Sequence, residues 1–186
     1  MSIIKGRSIA GRKISDGIDY YETPSWAVEK LLNKESFNGN ILEPCCGSGA
    51  ISRILEAHNY QVISADIRQD ADIYGISGKD FFTEPYGNTS NIVTNPPYFC
   101  ACEFVRRSLE LANDKVAMLL KLSFLESVKR YHFFKATPLR TIYVFSSRVT
   151  MYPGNQPKPK NGGTITYAWF VWQHGYTGKP TVDWII

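Results

Sequence analysis

The sequence predicts an α/β fold with a mostly parallel sheet and helices on both faces, and three observations carry that expectation. Short runs of strand-forming residues alternate with segments of helical spacing, the pattern of βαβ units. The run VAMLLKL, residues 116–122, is almost continuously apolar, as a parallel strand covered on both faces has to be. The last two strand runs, TIYVF and TITYAWFVW, have no helical segment between them, so they are expected to pair antiparallel.

Taken in order, residues 1–19 lack apolar periodicity and read as a flexible basic arm, with Gly6, Gly11 and Gly17 set among Lys5, Arg7, Arg12 and Lys13. Residues 20–186 read as one domain. TPSWAVEKLL reads as a helix with Thr23 as its cap and Pro24 at the first helical position. A strand over 40–42 leads through a glycine turn into a helix over 50–58. A second strand over 61–65 ends at Asp66, and GKDFF follows the position of a third. Residues 91–94 form a further strand, 102–112 a helix, 116–122 the buried strand, and 123–135 a helix with a basic face. Strands over 141–145 and 164–172 flank the loop SSRVTMYPGNQPKPKNGG, rich in turn formers and cations.

The 186 residues, 44% hydrophobic and 20% charged, suit one globular domain. No apolar run reaches the roughly 20 residues of a membrane span, and the apolar patch in MSIIKGRSIAGRK is too short for a signal peptide; the expected location is the cytoplasm. A net charge of +4 favours a polyanionic partner. Cys45, Cys46, Cys100 and Cys102 lack the C-x-x-C spacing of structural zinc. They read as reduced packing residues, and no metal is expected.

Two stretches carry chemistry. In ILEPCCGSGA a strand delivers Glu43, then Gly47 and Gly49 permit a tight turn into a helix. A carboxylate at the strand tip repels a pyrophosphate and attracts a cation. Asp66, at the end of the next strand, stands where an acid takes ribose hydroxyls. A cationic nucleoside without phosphates fits this set, and S-adenosyl-L-methionine is such a molecule. For Asp80 and Phe81 two readings stand side by side: contacts to the adenine amine and ring, or a turn residue and a core side chain. In IVTNPPYFC a strand delivers Asn95 to the carboxyl edge. Pro96 and Pro97 stiffen the exit and lack N–H groups, so their carbonyls are expected to be free acceptors. Acceptors from Asn95 and Pro96, with the flat ring of Tyr98, suit a planar conjugated amine, whose delocalised lone pair makes it a poor nucleophile. A paired base has to be flipped out to reach such a site.

These residues resemble the Asn-Pro-Pro-Tyr family of S-adenosyl-L-methionine-dependent amino-methyltransferases, DNA adenine N6-methyltransferases in particular. YYETPSWAVEKLL resembles the family's cofactor-proximal helix, LEPCCGSG its glycine loop, SADI its ribose-binding strand end, KDFF its adenine-contact segment and TNPPY its catalytic motif. RVTMYPG resembles the loop that supplies a second aromatic to the flipped base, and ITYAWFVWQHGYTGKPTVDWI the closing strand and tail. The resemblance implies a Rossmann-like class I methyltransferase with a seven-stranded, mostly parallel sheet and an antiparallel last strand. It implies catalysis by Asn95, Pro96, Pro97 and Tyr98. Thr23, Pro24, Glu43, Gly47, Gly49, Asp66, Asp80 and Phe81 then hold the cofactor, and Tyr152 packs on the base. The form resembled is the compact bacterial or phage-borne one without a separate recognition domain, for which phosphate contacts from Arg148, Lys158, Lys160 and the amino-terminal arm are expected. The same chemistry on RNA adenine or on a protein glutamine amide is the alternative, as is an inactive nucleic-acid-binding module.

Overall fold

The computed structural model describes residues 21–153 and 163–186. The expected basic arm, Lys158 and Lys160 lie outside the described residues.

The chain opens with a two-residue strand β1 (Tyr21–Glu22) and helix α1 (Ser25–Leu32), then alternates β2 (Ile41–Glu43), α2 (Ser52–Ala57) and β3 (Val62–Ser64). Strand β4 (Thr89–Thr94) is followed by a 3-10 turn at Tyr98–Cys100, α3 (Ala101–Leu111) and β5 (Ala112–Lys121). Helix α4 (Val128–Ala136), β6 (Leu139–Phe145), β7 (Tyr152–Pro153), β8 (Tyr167–Gln173) and β9 (Thr181–Ile185) complete it. Among the described residues the main sheet has seven strands in the order β3-β2-β4-β5-β8-β6-β9, and β1 pairs with β7 in a separate ribbon.

Strands β3, β2, β4 and β5 pair parallel, as do β6 and β9, and β8 runs antiparallel between β5 and β6. The alternation of side chains along each strand sorts the core onto two faces. Ile41, Val93, Ala117, Leu119, Trp169 and Val171 pack with Ala27, Val28 and Leu31 of α1 and Leu55 of α2. Leu42, Ile92, Val116, Met118, Leu120, Phe170 and Trp172 pack with Phe104 and Val105 of α3 and Phe133 of α4. Strand β8 is buried on both faces, with Ala168 through Trp172 fully shielded from solvent, which is why its run reads as continuous hydrophobicity. Its two indoles keep their polar ends paired: Trp169 Nε1 donates to the Ala27 carbonyl at 2.8 Å and Trp172 Nε1 to Thr137 Oγ1 at 3.2 Å.

Several expectations are corrected. Thr23 does not cap α1; the residue before the helix is Pro24, with ψ 135°, and no side chain caps the turn. At the third strand position the chain makes only a single parallel bridge, Ala65 to Ile76. The helix expected over 123–135 is broken: Leu122–Leu125 form a 3-10 turn, and Ser127 takes φ +126° before α4 begins. The expected seven-stranded, mostly parallel sheet is present, with β6 and β8 antiparallel as expected; the antiparallel strand is β8, and the edge strand β9 follows it in the chain.

One buried ionic cluster ties the connection after α1 to the sheet. Glu35 is 5% exposed, and its carboxylate accepts from Lys115 Nζ at 2.9 Å, from Tyr143 Oη at 2.6 Å and from the Arg140 guanidinium. Burial and then the Glu35 carboxylate push the Tyr143 hydroxyl up to about 12, so it is a permanent donor.

Candidate active site

Strand β2 is flanked by β3 on one side and β4 on the other, all parallel. The chain order reverses there, and such a point opens a crevice at the carboxyl edge of the sheet. Three acids and amides arrive at that edge: Glu43 ends β2, Asp66 follows β3 and Asn95 follows β4. A single cavity brings Glu43, Asp66 and Asn95 together with Thr23 and Pro97. It is also lined by residues that the sequence reading did not assign, among them Tyr21, Glu22, Cys45, Cys46, Ser48, Ile67 and Arg68.

The glycine loop is shaped by backbone conformations that only glycine takes at little cost, φ +49° at Gly47 and +85° at Gly49. A Cβ on Gly49 would lie 2.4 Å from Tyr74 Cγ. Tyr74 covers the loop from outside: its N–H donates to the Gly47 carbonyl at 2.8 Å, its hydroxyl to Glu56 at 2.5 Å, and the Arg53 guanidinium lies 4.2 Å from its ring centroid. Asp66 braces the loop from inside. Its Oδ2 accepts from Gly47 N at 2.9 Å and its Oδ1 from Arg68 N at 2.8 Å, and each oxygen retains a lone pair for a ligand.

Glu43 is 1% exposed. Its Oε2 accepts from the Ser52 hydroxyl, which also lies 2.6 Å from Ser64 Oγ. Burial pushes the carboxyl well above the usual carboxylate range; the Ser52 bonds oppose this and the nearby charges of Asp66 and Glu56 add to it. Burial likewise raises the Cys45 thiol well above its usual value and the Cys46 thiol to about 12, so both stay neutral and neither is an activated nucleophile.

Asn95 is held from across the cavity. Its Nδ2 donates to Thr23 Oγ1 at 3.1 Å and to the Tyr21 carbonyl at 3.3 Å. Its Oδ1 is shielded from solvent and has no hydrogen-bond partner among the described residues. An unpaired buried acceptor is costly, on the order of 1–3 kcal/mol, and in a cavity wall it is a group waiting for a donor.

Pro96 is buried and does not line the cavity. Pro97 lines it, but its carbonyl accepts the Cys100 N–H at 3.3 Å; the expectation that the proline carbonyls escape local donors fails at this one, because the chain turns at once into the 3-10 turn before α3. Tyr98 does not line the cavity; its ring contacts Tyr21, 6.4 Å away at 27°, and Tyr167, 5.9 Å away at 42°, with Lys121 Nζ 4.7 Å from its centroid. Pro24 stands one residue behind Thr23 at the head of α1.

Other predicted residues sit elsewhere. Asp80 makes a turn, its Oδ1 accepting from Phe82 N at 3.0 Å, and Phe81 stacks on Phe104 at 4.7 Å within the core; neither lines the cavity. The backbone of Tyr152 pairs with that of Glu22. Arg148 is exposed, and its Nη1 donates to the Gly163 carbonyl at 3.3 Å. Among the described residues no group of His, Cys, Asp and Glu side chains is arranged to hold a metal, and no helix is long and apolar enough to cross a membrane.

No protein-family model matches the chain. No curated protein sequence matches it either. Solved structures do. A protein described as an RNA methyltransferase from Pyrococcus horikoshii aligns with TM-score 0.62 at 14% identity, covering 83% of this chain and 86% of that one. A modification subunit ascribed to a type I restriction enzyme from Vibrio vulnificus YJ016 aligns with TM-score 0.58 at 12% identity over 89% of this chain and 47% of that one. The M protein of the type I restriction enzyme EcoKI aligns with TM-score 0.55 at 15% identity over 81% and 43%. The chain thus spans about half the length of these two subunits. At such identities the likeness concerns the fold, and the seven-stranded mixed sheet of this chain is the Rossmann-like fold of the methyltransferases.

Proposed function

We propose that this chain transfers a methyl group from S-adenosyl-L-methionine to the exocyclic N6 amine of adenine in DNA. The observation that carries the proposal is the shielded Oδ1 of Asn95, without a partner among the described residues, on a residue lining a cavity that also holds two carboxyl groups. The donor set fits the cofactor. Asp66 offers acceptors to a nucleoside and Glu43 a buried carboxyl that a neighbouring cation would ionise, while the basic side chain in the wall, Arg68, is already paired with Asp70 and Asp72. When bound, the cofactor supplies an electrophilic methyl group on a sulfonium.

The chain's own residues do the rest. Asp66 keeps its spare lone pairs for ribose hydroxyls. Asn95 Oδ1 accepts an N–H of the target amine, which favours a pyramidal nitrogen and so the transition state over the planar ground state. Taking up a methyl group from a sulfonium would leave the sulfur neutral and the amine with one proton to give to water. Tyr98 gives the flipped base a ring to stack on. Arg148, with Lys158 and Lys160, is assigned to phosphate contacts. DNA is preferred as substrate because two of the similar folds belong to modification subunits of restriction enzymes.

The test is transfer of labelled methyl groups to duplex DNA, to RNA and to a glutamine-bearing protein in parallel. Label recovered as N6-methyladenine in DNA is the expected result. Label in RNA or protein alone reassigns the substrate, and no transfer to any acceptor refutes the reading.

Glu43 gives this site a pH signature. Its folded pKa is raised by burial, so the native protein binds more protons than the unfolded chain above the usual carboxylate range. Stability therefore falls as pH rises from that range towards the folded pKa. A cation brought beside the carboxyl favours its ionised form, so binding of the cofactor releases a proton. Denaturation curves across this pH range are expected to slope for the parent and to flatten for Glu43→Gln. Calorimetry in buffers of different ionisation enthalpy is expected to show proton release for the parent and none for the variant. A parent that binds without releasing protons contradicts the assignment.

A further inference from the structure

We infer that residues 21–23 form a strap that positions the catalytic amide, with Thr23 acting through Asn95 rather than on a ligand. The inference rests on the function proposed above and adds to it what aims the acceptor.

An asparagine amide has a donor end and an acceptor end that differ little in shape. Turned the wrong way, Asn95 would present N–H groups to the N–H groups of the target amine. The strap excludes that orientation. The Tyr21 carbonyl has no hydrogen to give, so the group 3.3 Å from it has to be the amide nitrogen. The Thr23 hydroxyl accepts from the same nitrogen at 3.1 Å. With both amide hydrogens engaged, the planar group is fixed, and Oδ1 is left without a partner among the described residues.

The strap is itself anchored at both ends. Thr23 is 4% exposed, and α1 begins two residues beyond it. On the other side Tyr21 pairs with Pro153 and Glu22 with Tyr152. The contact joins residues 72 positions apart, so it is a product of the tertiary fold. Holding a reacting group in advance of substrate removes an ordering cost from the chemical step, and a displacement of about 1 Å costs on the order of a hundredfold in rate.

Two measurements decide the matter. In nitrogen-15 spectra of the full chain, the Asn95 side-chain amide hydrogens, identified by their loss in Asn95→Asp, are expected to exchange slowly with solvent. Thr23→Val, which keeps the shape and removes the hydroxyl, should speed that exchange, and Thr23→Ser should restore the protection. Fast exchange in the parent, or unchanged exchange in Thr23→Val, overturns the strap. The second measurement is single-turnover methylation in a double-mutant cycle, with cofactor affinity from calorimetry. Thr23→Val is expected to lower the rate about tenfold or more with cofactor affinity within about twofold, Thr23→Ser to recover most of the rate, and Thr23→Val to add nothing in an Asn95→Ala background. The same loss in both backgrounds, or a cofactor affinity that falls in step with the rate, makes Thr23 a direct ligand and overturns the proposal. A parent inactive on every acceptor sinks the functional reading and the catalytic role, while the exchange measurement still decides whether the strap holds the amide.

Discussion

Glu35→Ala is expected to cost the fold about 3 kcal/mol, towards the lower end of what breaking a buried ion pair costs. The size follows from what is left behind. Glu35 is the shared acceptor for Lys115, Arg140 and Tyr143. Without it, two cations face each other with no counter-charge and the Tyr143 hydroxyl loses its acceptor. The Lys115 side chain is only 12% exposed, so water replaces the carboxylate poorly there; Arg140, at 26%, recovers more. Glu35→Gln should fall between parent and Ala, because an amide oxygen can still take one donor. For a domain of this size a loss of about 3 kcal/mol lowers the melting temperature by roughly 6–12 °C. Urea curves with an unchanged slope and a lower midpoint check it. A Glu35→Ala midpoint within about 0.5 kcal/mol of the parent, the range of an ordinary surface substitution, would show that the cluster is solvated and dispensable.

That cluster also marks what the sequence hides. Glu35 stands just after a helix, where an acid is more often solvated than buried, and its partners lie 80 to 108 positions away. No local pattern distinguishes the two cases. The contact from Thr23 to Asn95 is hidden for the same reason, and it turns a residue expected as a helix cap into a partner of the Asn95 amide. Strand β9 is an edge strand whose apolar Val182 and Trp184 are exposed, so the alternation in TVDWI does not point to a core. What was legible was set by short-range rules. Short strand-forming runs, one of them almost continuously apolar, gave the sheet, helical spacing gave α1, α2 and α3, and the residue just after each of three parallel strands gave Glu43, Asp66 and Asn95. Parallel strands end on one edge, so three such residues met there without any contact being known. Asp80 and Phe81 had two readings, and the structure places them as a turn and a core ring. Tyr21 escaped notice because a tyrosine ahead of a helix carries no signal of its own; only the fold brings it within 6.4 Å of Tyr98.

Asn95→Ala is expected to lower the methylation rate by roughly a hundredfold or more, the range for loss of a transition-state hydrogen-bonding group, while the fold and cofactor affinity stay close to the parent. The two effects separate because of how the amide is bonded. Removing it gives up the contacts to Thr23 and Tyr21, a loss of about 1 kcal/mol for each. It also removes the shielded, unpartnered Oδ1, whose burial costs a similar amount, so the balance for stability is small. For the reaction nothing compensates: the acceptor for the target N–H is gone. Tyr98→Phe should be mild, since the ring remains, and Tyr98→Ala should lose about 1–3 kcal/mol of base stacking. A segment that served only as a stiff strand exit predicts the reverse, with both alanine variants melting early and neither showing a selective loss of rate. Melting curves paired with single-turnover methylation for each variant distinguish the two. Asn95→Ala methylating adenine at the parent rate would leave the unpaired oxygen without a role and remove the ground on which the proposed function stands.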